Sequence, residues 1–509
     1  MNVGSGWSRG YPVGQPYPAA WHGFQSPAHI AASCALMGAA WEVSPDQPMH
    51  ITEIGCGSGY TANVLAAGNP NAQVLGLDYN PAHVAEARSM AAAAGLGNAR
   101  FEATDLAELD GAELDRLPEF DLVTVHGLWS WVGDPVREGV LRLLRRRLKP
   151  GGVVLMTYNA LPGAGGALGL SRLVRGALRS AGTTAEGIAQ ARATVEKLVA
   201  AEAVHLHDST WRRLLLGEMG EARAGYLLHE FITDHWRPCF FADVQDAMAT
   251  ARCEFVGSAT LDENFPSMTL TPAQQEIWNA APDAAARQLV QDLCVPRAFR
   301  RDIYVRGLRR IPAEAAVASI PLMAAIHGPG ERRLRSQAGE AALPPHIMEP
   351  MRAALESGPQ EIGALLSLPG CGNVTPTEAL AMLTGSGSAV PLWRRPGEGA
   401  GWADANAAAK RLNHVAAQRL AAHGIGSARL ALASPALGGG LAVDSMELAV
   451  AVLAEGDGTE AGRLVRRLVP PGPPPPPEIL EDLESKAETL LRRRHPVWRS
   501  LDLVGSAGA

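Results

Sequence analysis

The stretch "TEIGCGSGYTANVL", residues 52–65, holds the residues best suited to grip a small cofactor. Gly55, Gly57 and Gly59 alternate with other residues behind Glu53, and a helix-forming run follows. Glycines at such spacing permit a tight turn and bring backbone N–H groups and a helix N-terminus against a ligand. Read from Gly57, the run Gly57-Ser58-Gly59-Tyr60-Thr61-Ala62 satisfies a dinucleotide fingerprint. Asp78 and Asp105 close the next two strand-like runs. Asp78 can accept hydrogen bonds from ribose hydroxyls, and Asp105 can meet an adenine amino group or simply cap the helix that follows. Farther on, "TVHGLWSWVGD" (124–134) and "TYNALPGAGG" (157–166) carry His126, Trp129, Trp131, Tyr158 and Asn159. Aromatic faces can hold a cation, an amide and a phenol can orient a lone pair, and an imidazole can pass a proton. The same tryptophans can instead cap a core, and the histidine can fix its own loop.

These residues need elements to position them. "MHITEIG" (49–55), "AQVLGLD" (72–78), "NARFEATD" (98–105), "FDLVTVHG" (120–127) and "GGVVLMTYN" (151–159) are apolar runs of strand length separated by helical patterns. Such alternation predicts right-handed crossovers and a parallel sheet covered on both faces. Sheets of this kind bind ligands at the carboxyl ends of their strands, where the acids and aromatic loops fall. The expected fold is α/β: a Rossmann-like sheet with a helical insertion, followed by mostly helical middle and C-terminal domains. The predicted divisions are an N-terminal arm and helix (1–45), a cofactor-binding domain (46–261) with its insertion at about 163–235, a middle domain (262–395) and a C-terminal domain (403–509). Within the insertion-bearing domain, "CFFADVQDAMATARCEFVGSA" (239–259) is expected to add a last helix and strand. The proline run at 470–477 favours extended polyproline II and is expected to hold the terminal helix "EILEDLESKAETLLRRR" away from the core.

Composition narrows the partners. The chain has 509 residues, 19% charged and 47% hydrophobic, with a formal net charge of −7. That balance gives no reason to expect nucleic acid. The basic run Arg142, Arg145, Arg146, Arg147 and Lys149 is best read as the solvated face of a helix. No apolar run reaches the roughly 18 residues of a membrane span, and the N-terminus does not have the pattern of a secretory signal, so a cytoplasmic location is expected. The six cysteines lie far apart, which argues against a disulfide framework or a zinc ribbon. His205, His207, Asp208, His229, Glu230, Asp234 and His235 do not have zinc-site spacing, and no metal is expected.

The cofactor is decided by what the loop must face. NAD presents a pyrophosphate; S-adenosylmethionine (SAM) presents an amino acid and a cationic sulfonium, for which an acid such as Glu53 is an asset. Glu53-x-Gly55-x-Gly57-x-Gly59 resembles the first motif of SAM methyltransferases, and "LKPGG" before the fifth strand resembles a turn of the class I fold. SAM is therefore the expected cofactor, with Glu53, Gly55, Gly57, Gly59, Asp78 and Asp105 as its binding residues.

The pair H-G-x-x-S-W-V and Y-N-x-x-P-G narrows the resemblance to bacterial methyltransferases with a methyltransferase regulatory domain, a group that includes the rickettsial outer-membrane-protein lysine methyltransferases. "YLLHEFITDHWRPCFFADV" (226–244), "FRRDIY" (299–304), "RLNHVAAQRL" and "LASPALGGG" are similar to the same group. Trp129 stands where that group more often has tyrosine. The resemblance implies methyl transfer from SAM to a protein lysine, with His126, Trp129, Trp131, Tyr158 and Asn159 around the acceptor. A protein substrate is the expected partner, and the middle domain leaves room for a homodimer. Two other functions are compatible with the residues: a small-molecule O- or N-methyltransferase, and a SAM-binding regulator or scaffold with an inactive transferase domain.

Overall fold

The computed structural model describes residues 20–206, 209–218, 233, 235–328, 333–336, 339–399, 401–423, 429–454, 461–468 and 475–504. Residues 1–19 of the expected arm, His207, Asp208, His229, Glu230 and Asp234, and residues 470–474 of the expected spacer lie outside them.

The first five strands form where the apolar runs placed them: β1 (Met49–Ile54), β2 (Ala72–Asp78), β3 (Ala99–Ala103), β4 (Phe120–Val125) and β5 (Leu148–Asn159). They pair in parallel in the order 3-2-1-4-5, and two antiparallel strands, β6 (Cys253–Ser258) and β7 (Phe299–Arg306), finish the seven-stranded sheet as 3-2-1-4-5-7-6. The order reverses between β1 and β4, the crevice where open α/β sheets take their ligands.

The crossover helices follow from local sequence. In α1 (Pro27–Leu36), Ser26 accepts from the His29 amide and Pro27 occupies the first turn, where no N–H is needed. After α2 (Tyr60–Gly68), α3 (Pro81–Ala94) is capped by Asn80 and stops at the left-handed Gly95. The short α4 (Gly111–Arg116) opens with an Asp110/Glu113 capping box. In α5 (Asp134–Arg147), Val140, Leu141, Leu143 and Leu144 are buried, whereas Arg146 clamps Asp115 in the outer layer with contacts of 2.7 and 2.5 Å. Arg142 bonds the Leu106 and Ala107 carbonyls, Arg145 pairs with Glu138, and Lys149 pairs with Asp121 at 2.8 Å. The basic run is thus occupied within the fold.

Three further helices, α6 (Gly166–Ser180), α7 (Thr184–Ala200) and α8 (Thr210–Leu215), pack on one another through Leu170, Val174, Ala191, Val195, Leu214 and Leu215.

Two features depart from the sequence reading. The sheet draws β7 from residues assigned to the middle domain, so a boundary near Leu261 cuts through the sheet's own chain. The reason is local: one face of "FRRDIYVR" carries Arg300 and Asp302, charges buried as a pair that break the apolar alternation of a strand. The terminal helix (Pro477–Ser500) is not held away from the core. Ala487, Val497 and Trp498 are fully buried in the same cluster as Ile51 of β1 and Val74 of β2.

The middle region keeps a core of its own, built on Ile347, Met351, Leu355, Leu380 and Leu383, and Ala32 and Leu36 of α1 enter it. The tail hairpin, Leu430–Ser434 with Gly439–Val443, lies on α2. There the Tyr60 hydroxyl accepts from the Ala431 amide at 3.0 Å, and Asn69 donates to the Gly438 carbonyl at 2.8 Å. The helix that opens from the glycine loop is therefore braced by residues some 370 positions away, a separation the Tyr60 contact itself gives as 371.

Candidate active site

Strand alternation divides the sheet into two faces with different chemistry. One face carries Glu53 of β1, Asp78 of β2, Thr124 of β4 and Thr157 and Asn159 of β5. Antiparallel pairing sets Arg301 opposite Thr157 and Phe299 opposite Asn159. His126 follows β4 on this side. The opposite face carries Phe120, Val154, Met156, Tyr158 and Tyr304 against α5 and the helix Phe241–Thr250.

The glycine loop sits at the end of β1. The Gly57 amide donates to Asp78 Oδ2 at 2.8 Å, and Asp78 Oδ1 accepts from the Asn80 amide at 2.8 Å. Gly57 and Gly59 have φ of 54° and 72°, the left-handed region that side chains disfavour. Their surroundings differ. A Cβ at Gly59 would stand 2.3 Å from the Ala87 Cβ and 2.7 Å from the Phe101 ring, so this glycine lets α2 and α3 close on β3. A Cβ at Gly57 would meet nothing within 4 Å, which leaves the loop backbone open to a ligand.

Glu53 is buried, and its Oε2 has no hydrogen-bond partner. Burial pushes its carboxyl up to about 8; the Ala62 amide opposes the rise and nearby Asp78 adds to it. An orphaned buried carboxylate oxygen beside an open glycine backbone suits a cationic amino acid better than a pyrophosphate. These residues fit SAM: Glu53 for the ammonium, the Gly55–Gly59 backbone for the amino-acid portion, Asp78 for the ribose. Asp105 Oδ1 accepts from the Ala107 amide at 3.0 Å within a turn, and the helix that follows is capped by Asp110 and not, as the alternative reading had it, by Asp105.

Across β4 and β5 the geometry gathers an aromatic cluster. The His126 ring lies 4.2 Å from His22, 5.4 Å from Phe24 and 6.0 Å from Phe299, and its Nδ1 is 3.0 Å from Thr157 Oγ1. Burial, then His22 and Arg301, hold the His126 imidazole well below its usual range. His22 is lowered to about 4 by burial, Arg429 and Arg301. Both shifts favour the neutral imidazole. Trp131 stands 6.5 Å from Phe299, and Asn159 Oδ1 accepts from Trp236 Nε1 at 3.0 Å.

Of the five residues predicted around the acceptor, the structure thus brings His126, Trp131 and Asn159 together. Tyr158 and Trp129 do not join them. Adjacent residues on a strand point to opposite faces, so Tyr158 turns away from Asn159 and gives its hydroxyl to Asp302 at 2.7 Å. Burial, then Asp302, raises its phenol well above the usual range, which suits a structural donor. Trp129 lies under the Arg137 guanidinium at 5.4 Å and lines a cleft of about 500 Å³ on the far side, with Arg237, Cys239 and Asp243.

Sequence reasoning missed His22, Phe24, Thr157, Phe299 and Arg301. The first two lie in an aromatic arm that is placed by contacts to the tail: the Trp21 amide donates to the Arg429 carbonyl at 2.9 Å and its indole to Gly440 at 3.0 Å. Among the described residues, no three His, Cys, Asp or Glu are grouped to hold a metal, and no helix is long and apolar enough to cross a membrane.

Comparison with known proteins identifies the family. The family described as methyltransferase domain matches residues 45–202, and the predicted methyltransferase regulatory domain matches residues 223–306. The chain belongs to the class I SAM-dependent methyltransferases that carry this regulatory domain, and SAM is its cofactor. An uncharacterized Synechocystis protein, sll1526, is 30% identical over 395 residues, 76% of this chain and 77% of that one. The trans-aconitate 2-methyltransferase of Deinococcus radiodurans is 37% identical over 117 residues, 23% of this chain and 40% of that enzyme. The structure of PKMT2 from Rickettsia typhi in complex with AdoHcy shares the fold over 94% of this chain and 98% of its own, with a TM-score of 0.64 at 16% identity.

Proposed function

We propose that this enzyme methylates lysine side chains of a protein. The observation that carries the reading is the cluster in which half-buried His126 and His22, both imidazoles held below their usual range, meet Phe24, Phe299 and Trp131 at the carboxyl end of β4. SAM supplies an electrophilic methyl on its sulfonium. The acceptor nitrogen must arrive with a free lone pair, yet a lysine of pKa about 10.4 is neutral in only about one part in a thousand near pH 7.4. A partly desolvated aromatic site disfavours the ammonium form, and a neutral imidazole accepts a hydrogen bond from the amine or passes its proton toward water. The walls also align the amine, which is the main requirement of a displacement at carbon. Similarity to PKMT2 over nearly the whole chain supports a protein acceptor.

A small carboxylic acid is the second reading, favoured by the Arg301 cation at the same cluster and by likeness to trans-aconitate methyltransferases. Radiolabelled-methyl transfer into a cell lysate, resolved both by gel and by small-molecule extraction, separates the two. Label in a protein band, mapped to lysine by mass spectrometry, supports the proposal; label confined to the extract refutes it.

A further inference from the structure

The cluster contains a cation that the transfer reaction does not require. Arg301, on β7 opposite Thr157, lies 4.9 Å from the Phe24 ring centre and 5.8 Å from that of Phe299, the two rings that also flank His126. Its Nη1 donates to Thr260 Oγ1 at 2.9 Å, while its buried Nε–H has no partner. No carboxylate among the described residues lies within salt-bridge distance of it. Asp262 and Glu263 act on it only at longer range, and Glu263 is engaged by Arg297 at 3.0 Å. Its neighbour Arg300 is the contrast: it is locked between Asp292 and Asp302 at 2.9 and 3.0 Å. Arg429, whose carbonyl holds Trp21, adds positive potential from the solvent side.

A guanidinium whose Nε–H is buried and unused is costly unless something completes it. It also repels an incoming lysine ammonium. Both problems are solved if the substrate brings its own anion, since a guanidinium fork matches a carboxylate. We infer that Arg301 is a specificity-determining residue that binds a carboxylate on the acceptor substrate, so that the lysines methylated here have a glutamate or aspartate beside them. This inference rests on the lysine reading.

The test uses a library of lysine peptides in which glutamate or glutamine occupies each flanking position, with the full-length enzyme and its Arg301→Gln and Arg301→Lys variants. SAM affinity, measured by calorimetry, reports whether each variant is folded. The expected result is a KM at least about tenfold lower for glutamate at one flanking position in the wild type, about 1.4 kcal/mol. Arg301→Gln abolishes that preference and Arg301→Lys keeps part of it, with SAM binding retained in both. Equal KM values for glutamate and glutamine peptides in the wild type, or a preference that survives Arg301→Gln, overturn the inference and leave lysine methylation standing. Methyl esters on the peptide carboxylates, with no label on lysine, would overturn the lysine reading and with it the inferred flanking role.

Discussion

Replacing Glu53 by Gln tests the cofactor site most directly. A carboxyl raised from 4.5 to about 8 is one whose ionised form is disfavoured by roughly 5 kcal/mol, at about 1.4 kcal/mol for each tenfold change. Unfolded, Glu53 loses its proton near pH 4.5; folded, it keeps the proton until about 8. The native state therefore binds the extra proton across this window, and wild-type stability must fall as pH rises through it. A cofactor ammonium placed against Oε2 reverses the preference and drives the proton off. At pH 6.5 the free carboxyl is only about 3% ionised, while an α-amino group of pKa about 7.7–8.0 remains charged, so any proton released comes from the protein. Calorimetry in buffers of different ionisation enthalpy should find close to one proton released per SAM bound to the wild type and none for Glu53→Gln. Wild-type affinity should rise nearly tenfold between pH 5.5 and 6.5 and level off as pH approaches 8, and the variant's affinity should be weaker and flat below pH 7. Equal proton release from both proteins would refute the assignment of Glu53 to the cofactor ammonium.

The two glycines should separate folding from binding. Gly59→Ala forces a methyl into Ala87 and Phe101 and should lower stability by about 2–4 kcal/mol in denaturant melts. Gly57→Ala meets open space, so it should cost only about 1–2 kcal/mol of stability while weakening SAM by tenfold or more in calorimetry. Tyr158→Phe removes the hydroxyl from Asp302 and should destabilise by about 1–3 kcal/mol with kcat nearly unchanged; a large loss of kcat at full stability would return Tyr158 to the acceptor site. Trp498→Ala should destabilise the whole protein by about 3–5 kcal/mol in thermal unfolding, because the terminal helix is part of the core and not a tethered appendage.

Much of the cofactor half was legible in the sequence because its signals are local. The glycine spacing, the acid before it and the apolar runs of β1 to β5 act over a few residues, and they determined the strand–turn–helix, the parallel sheet and the preference for SAM over a dinucleotide. The position of His126 was legible for the same reason: the run ending at Val125 puts it at the carboxyl end of β4. What the sequence could not decide is which neighbour each side chain meets. Tyr158 and Asn159 are adjacent in the chain yet belong to different faces, and only the register of β5 against β7 reveals which one looks into the site. Arg301 and Phe299 were hidden within a strand disguised by buried charge pairs, and His22 and Phe24 in an arm anchored by a hairpin more than 400 residues away, the Trp21 to Gly440 contact spanning 419. Spacing and periodicity constrain a residue's own element. The aromatic cluster around His126 is assembled from pairings between distant elements, whose energies depend on packing and on desolvated charge, and these exist only once the chain has folded.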